Sequence, residues 1–281
     1  MTPEQRYFFD VTGYLHLEGV LQRSELHSAQ EAAQRYIDTP GTELPSGFKC
    51  ESKGTYLHGF AFDKSLEALT LHPSFWPLVV ELTNDRPRLT SGNLRDQTHE
   101  ESYFGRLHCA REGGGGPEMP TYFVQDSRMY SNFLVVFVYL TDVFPSDGGL
   151  IVVPGSHKSQ LPRPDGLFAP NSDTEVTDPE PHPAVTNITP KAGDVVIISE
   201  MLTHGVLIWK PQDRSRRFLL LRYMSQFSAY SVFETFPKEI EDRLSPETRE
   251  LIAYAHHSEI KEIVGEPGEW DGFAQQPKNN R

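Results

Sequence analysis

The chain has 281 residues, 37% of them hydrophobic and 11% aromatic, enough for one sizeable core and incompatible with wholesale disorder or a fibrous repeat. A net charge of −13 sets it against phosphate backbones, so no nucleic-acid polymer is expected as a partner. Two cysteines, Cys50 and Cys109, are too few for a disulfide scaffold. No apolar run reaches the roughly 18 residues of a membrane helix, and residues 1–10 lack the basic-then-apolar order of a secretion signal, so the expectation is a cytoplasmic protein without membrane contact.

Taken in order, residues 3–10 read as a helix, 13–17 as a strand and 24–37 as a second helix. Ser24 is the expected cap of that second helix, with Leu26, Ala29, Ala33, Tyr36 and Ile37 on its apolar stripe. Residues 39–53 carry the punctuation of a loop, and 66–82 read as helix interrupted by Pro73 and Pro77. From residue 88 the apolar period changes to two. Strands are expected over 88–96, 133–141, 150–153, 195–199 and 218–223, separated by turn signals such as Pro154-Gly155 and Gly193-Asp194. The Pro-rich stretch 159–190 lacks periodicity and reads as a lid or substrate-contacting excursion. Ser245-Pro246 opens a last helix expected to run to 264, and 265–281 read as a weakly ordered tail. The expectation is one mainly-β domain over 1–264, a two-sheet antiparallel sandwich with a helical buttress over 1–87 and a closing helix over 245–264.

Phosphate-loop, dinucleotide, zincin and nucleophile-elbow signatures are absent, and the glycine run 113–116 has no helix start after it. Chemistry therefore falls to the eleven histidines. Most sit in loops or on helix surfaces. His108 and His204 differ, since each lies at the end of a strand-like segment beside small residues, Leu107-His108-Cys109-Ala110 and Thr203-His204-Gly205. Two imidazoles on opposing strands of a sandwich can converge on one metal, and imidazole suits Fe(II).

Four segments in order carry a resemblance: residues 8–21 (FFDVTGYLHLEGVL), 148–158 (GGLIVVPGSHK), 191–198 with Thr203-His204-Gly205, and Arg216-Arg217-Phe218. Together they are similar to the phytanoyl-CoA dioxygenase family of non-haem Fe(II)/2-oxoglutarate oxygenases. The resemblance implies a double-stranded β-helix, the jelly roll of cupin-like proteins, with Fe(II), 2-oxoglutarate and O2 as cofactors and a small-molecule substrate. It implies His108 and His204 as iron ligands and Arg216 as partner of the distal carboxylate of 2-oxoglutarate, with Arg217 and Arg214 as alternatives. Strand alternation puts Arg216, Phe218, Leu220 and Arg222 on one face and Arg217, Leu219 and Leu221 on the other. Ser156 and His157 are read as part of a turn near the site.

The departure is Ala110. The family's acid ligand stands two residues after the first histidine, and a methyl group cannot ligate iron. In family-like enzymes that chlorinate carbon, a small residue there leaves room for halide, so the resemblance favours halogenation of an aliphatic C–H bond, with chloride as an added cofactor. Hydroxylation with Glu112 or a water as third ligand is the alternative, and His99-Glu100-Glu101 reads as solvated loop. A binding module that has lost iron is the competing class. Arg95, Arg106 and Arg111 stand near the expected mouth, where they would meet a small carboxylate or phosphate. Oligomeric state is not legible.

Overall fold

The computed structural model describes residues 1–51, 53–113, 121–164, 182–229 and 235–265. The expected tail beyond 265, the middle of the expected lid and glycines 114–116 lie outside them. Helix α1 (Pro3–Thr12) starts at a capping box in which Thr2 and Gln5 satisfy each other's backbone N–H groups. Strand β1 (Tyr14–Leu17) follows, then α2 (Arg23–Asp38). The cap of α2 is Gln22, paired with Glu25, rather than Ser24, which falls inside the first turn. Ala29, Ala32, Ala33 and Tyr36 are its buried side.

The expected loop 39–53 holds β2 (Cys50–Glu51), and β3 (Thr55–Tyr56) pairs with it. The expected helix over 66–82 is two short ones, α3 (Lys64–Glu67) and α4 (Trp76–Leu82), with a tight turn over Ala68–Leu71 between them. Pro77 stands in the first turn of α4, where its missing N–H costs nothing, and so starts that helix rather than breaking it.

The remaining strands are β4 (Pro87–Gln97), β5 (Gly105–His108), β6 (Tyr122–Gln125), β7 (Arg128–Ser131), β8 (Phe133–Tyr139), β9 (Gly149–Val152), β10 (Thr186–Asn187), β11 (Val195–Ser199), β12 (His204–Leu207) and β13 (Arg216–Ser225). The larger sheet has the order β1-β11-β8-β13-β4-β3-β2, the smaller β10-β9-β12-β5, and β6-β7 is a separate hairpin. All pairings are antiparallel. The fold is thus the expected sandwich, a jelly roll with helices on its outer face.

The central strands are apolar on both faces because both are covered. Along β8, Leu134, Val136 and Val138 pack under the helices, while Val135, Phe137 and Tyr139 face the smaller sheet. On β11, Val195 and Ile197 take the helical side, Val196 and Ile198 the other. Period two sorts each strand between two cores. At roughly 25 cal/mol per Å² of apolar surface, these buried side chains dominate the stability of the domain.

The C-terminal expectation needs correction. After α5 (Lys238–Glu241), α6 spans only Pro246–Ile252, with Ser245 accepting from the Thr248 N–H at 3.2 Å. Ala253 turns extended, and the buried ammonium of Lys261 donates to the carbonyls of Leu251, Ala253 and Pro87 at 2.7–3.2 Å. The open end of α6 is satisfied by a side chain arriving from ten residues on, and only a tight turn over Glu262–Val264 follows.

Candidate metal centre

His108 closes β5 and His204 opens β12, and the two stand directly opposite in the antiparallel register. Their ring centroids are 4.3 Å apart. The two strands approach tightly here: a Cβ at Gly205 would lie 2.6 Å from the carbonyl oxygen of Gly105, so only glycine fits. Each ring is tied down the same way. Nδ1 of His108 lies 2.9 Å from the carbonyl oxygen of Arg106, and Nδ1 of His204 lies 2.8 Å from that of Leu202. A carbonyl only accepts, so Nδ1 carries the donated proton in both rings, and in the neutral ring the lone pair that can bind a metal falls on Nε2. Burial pulls the His204 pKa below the ordinary histidine value, assisted by the neighbouring His108 and opposed by Glu200, so this imidazole is neutral at pH 7. A ring held through Nδ1 by a backbone carbonyl, with Nε2 neutral, is the form in which histidine binds metals.

Both histidines line a cavity of about 190 Å³ between the sheets, walled by Val135, Phe137, Leu150 and Phe218. Arg216 lines it from β13 and is only 2% exposed. Its Nη2 donates to Oε1 of Gln97, while Nε and Nη1 have no hydrogen-bond partner among the described residues. Gly149, at φ +90°, makes room for it, since a Cβ there would sit 2.6 Å from Nη1. A buried guanidinium with two free donors is a costly feature unless an anion comes to it.

The alternatives to Arg216 are otherwise engaged. Arg217 points to the opposite face and pairs with Asp96 at 3.0 Å, and with Gln34. Arg214 pairs with Asp147 at 2.6 Å. Glu112 lines a second, open pocket of about 770 Å³ next to the first, but both its oxygens accept from Arg163, at 3.0 and 3.2 Å. His99 sits in the turn after β4 with Nδ1 3.2 Å from the carbonyl of Trp209. Ser156 and His157 form a tight turn, His157 edge-on to Tyr122 and lining neither cavity. Of the three arginines expected at the mouth, Arg95 lines the inner cavity and Arg106 the outer pocket, whereas Arg111 is tied to the carbonyls of His157 and Ser159.

Sequence reasoning passes over one residue that the structure brings in. Glu200, 7% exposed, lines both cavities together with His108 and Arg222. Its Oε2 is 3.6 Å from Nε2 of His204 and its Oε1 3.4 Å from Nε of Arg222. The available signal is a lone acid closing the apolar run of β11, four residues before His204. Among the described residues no three His, Cys, Asp or Glu side chains are already drawn together as a complete metal-binding group. The donor set nonetheless fits a divalent metal that accepts imidazole, with Arg216 placed for an anion beside it.

The model of the family described as phytanoyl-CoA dioxygenase (PhyH) matches residues 9–206. The chain belongs to the phytanoyl-CoA dioxygenase family. Its members are non-haem enzymes that use iron, 2-oxoglutarate and O2. Among solved structures, HygX from Streptomyces hygroscopicus with iron bound is 24% identical, with a TM-score of 0.65 over 81% of this chain and 88% of that one. HygX with nickel, 2-oxoglutarate and hygromycin B bound is 25% identical at a TM-score of 0.63, with the same coverage. The carbocyclase SnoK from nogalamycin biosynthesis is 19% identical, with a TM-score of 0.58 over 88% of this chain and 92% of that one. These likenesses establish the dioxygenase-family fold over most of the chain. No curated protein matches it. No helix among the described residues is long and apolar enough to cross a membrane.

Proposed function

We propose that this protein oxidises an aliphatic C–H bond of a small molecule, using Fe(II) held by His108 and His204 and 2-oxoglutarate anchored by Arg216. The observation that carries the reading is two cross-strand histidines of matched tautomer in one cavity with a buried arginine whose Nε and Nη1 lack partners. When bound, iron and 2-oxoglutarate supply the oxidising power of O2, with succinate as the spent cosubstrate.

The protein's own residues bind, orient and keep water out. His108 and His204 present lone pairs, and the carbonyls of Arg106 and Leu202 fix the rings. Arg216 offers Nη1 to a carboxylate, Nε staying open on the other edge of the guanidinium, and Gln97 sets the plane of the group through Nη2. Val135, Phe137, Leu150 and Phe218 make the wall dry, which strengthens that ion pair. The outer pocket, with Ser91, Arg106 and Phe133 in its lining, offers polar and apolar contacts to a small substrate, and HygX is similar to this chain in a structure that holds such a molecule, hygromycin B. The reaction is read as a cytoplasmic one, where Cys50 and Cys109 stay free thiols.

Ala110 favours a second reading, halogenation, because it brings no donor to the third position. Glu200 weighs against it. A buried carboxylate beside His204 repels chloride in the space that Ala110 leaves, so hydroxylation or another halide-free oxidation is the better-supported outcome. The test is anaerobic loading with Fe(II), then 2-oxoglutarate and air, with and without chloride. A visible charge-transfer band on adding 2-oxoglutarate, and succinate after aeration, are expected. Absence of both under every condition removes the enzymatic reading and leaves a binding module.

A further inference from the structure

The geometry points to Glu200 as the third protein ligand of the metal, taking over from the β11–β12 turn the role that Ala110 cannot fill. This rests on the reading of His108 and His204 as metal ligands. Three observations place the carboxylate there. The N–H of Ala110 donates to the carbonyl oxygen of Glu200 at 2.8 Å, so the backbone of Glu200 lies against the position where the family carries its acid. The side chain is buried and lines both cavities, at the boundary that His108 also occupies. Its Oε2 stands 3.6 Å from Nε2 of His204. Two donors each about 2.1 Å from one metal are about 3.0–3.4 Å apart, so the pair is within a few tenths of an ångström of sharing an ion.

The local structure explains why the carboxylate reaches this spot. The Glu200 N–H donates to the carbonyl oxygen of Phe133 at 3.0 Å, which holds its backbone to the start of β8 at the end of the β11–β8 ladder. The chain then turns through Met201-Leu202-Thr203 and re-enters the smaller sheet at His204. The turn folds back on itself, so residues four apart meet at one point. Arg222 touches the other carboxylate oxygen at 3.4 Å, leaving Oε2 on the side of His204. The small side chain at 110 is then required: an aspartate there would put a second negative charge beside the first. Ala110 and Glu200 thus act as a pair, the small side chain after β5 leaving room for the acid at the end of β11.

Anaerobic titration with Co(II), followed through its visible bands, tests this on the whole protein, with Fe(II) and 2-oxoglutarate added in a second series. Wild type is expected to bind one metal, with a spectrum that chloride does not alter. Glu200→Gln, which keeps the size of the side chain, weakens metal binding about 100-fold, at or beyond the upper loss seen for an outer partner of a ligand. Glu200→Ala weakens it further and makes the spectrum chloride-dependent, since halide then enters the opened position. Adding Ala110→Asp to Glu200→Ala restores metal affinity, an outcome that a purely structural ion pair with Arg222 does not produce. The inference is overturned if both Glu200 variants bind metal within about threefold of wild type, or if chloride shifts the wild-type spectrum. The wild-type chloride series needs no folded variant, and circular dichroism checks the others. Loss of metal in His108→Ala alongside unaltered binding in Glu200→Gln separates failure of this inference from failure of the reading beneath it. Wild type that binds no metal sinks both.

Discussion

Arg216 and Arg217 are neighbours on β13, yet they live in different chemistries. Arg217 lies on the helical side, where Asp96 and Gln34 satisfy it. Arg216 lies between the sheets, more deeply buried, with one neutral partner and no carboxylate. The same division runs along the strand: Leu219, Leu221 and Tyr223 belong to the core under the helices, while Phe218, Leu220 and Arg222 line the cavity. One face of the larger sheet is built for stability. The other gives up stability to keep polar groups waiting for a ligand.

The sharpest way to break this comparison is to exchange the fates of the two arginines. Arg216→Met is expected to weaken 2-oxoglutarate binding, measured by calorimetry on the metal-loaded protein, by about 100-fold or more, the roughly 2.7 kcal/mol that losing a buried charged partner costs. The same change leaves the melting temperature of the apo-protein unchanged or raised, because it removes a desolvated charge that has no counter-ion. Lower apo stability together with unchanged cosubstrate affinity would put Arg216 among the structural residues.

Next in size is the helical face. Leu219, fully buried, is expected to cost about 2–5 kcal/mol on truncation to alanine, read in urea unfolding, with 2-oxoglutarate affinity held near wild type. Arg217→Leu should cost about 1–2 kcal/mol, because Asp96 is left with Ser215 as its remaining side-chain partner, again without change in cosubstrate binding. If Arg217→Leu instead abolished cosubstrate binding, the assignment of faces on β13 would be reversed.

Much of this was legible in the sequence because period-two alternation is local. The stretch from Arg216 to Arg222 alone tells which arginine shares a face with Phe218, and the apolar run of β8 tells that both its faces are covered. What escaped depends on contacts between distant residues. The β6–β7 hairpin and the short β10 carry too few residues to show a period. Glu200 reads as one acid at the end of a strand until the segment just after β5 is laid against it through the N–H of Ala110, 90 residues earlier in the chain. The last helix is shorter than its sequence suggests because its stop is a side chain, Lys261, arriving from a later segment rather than a glycine or proline at its own end. Glu112, the acid nearest in sequence to His108, turns away because Arg163 lies on the outer side.

The smallest effect concerns a second buried histidine, which sharpens the contrast with His204. His157 is 1% exposed, packed edge-on against Tyr122 at 4.4 Å, with Asp10, Lys158 and Arg111 as its charged neighbours. Burial, helped by the Lys158 charge, pulls its pKa to about 4, from an ordinary 6.5. Since the folded value is the lower one, the unfolded chain binds more protons between them. Stability therefore falls as the pH drops from 6.5 toward 4, by at most about 1.4 kcal/mol per pH unit, and this histidine adds no slope above that window. Urea unfolding at pH 7 and pH 5 should show wild type losing more stability than His157→Phe. Because His157 lines neither cavity, the difference between the two proteins should be the same with and without bound metal. A metal-dependent difference would mean that the turn around Ser156 belongs to the site after all.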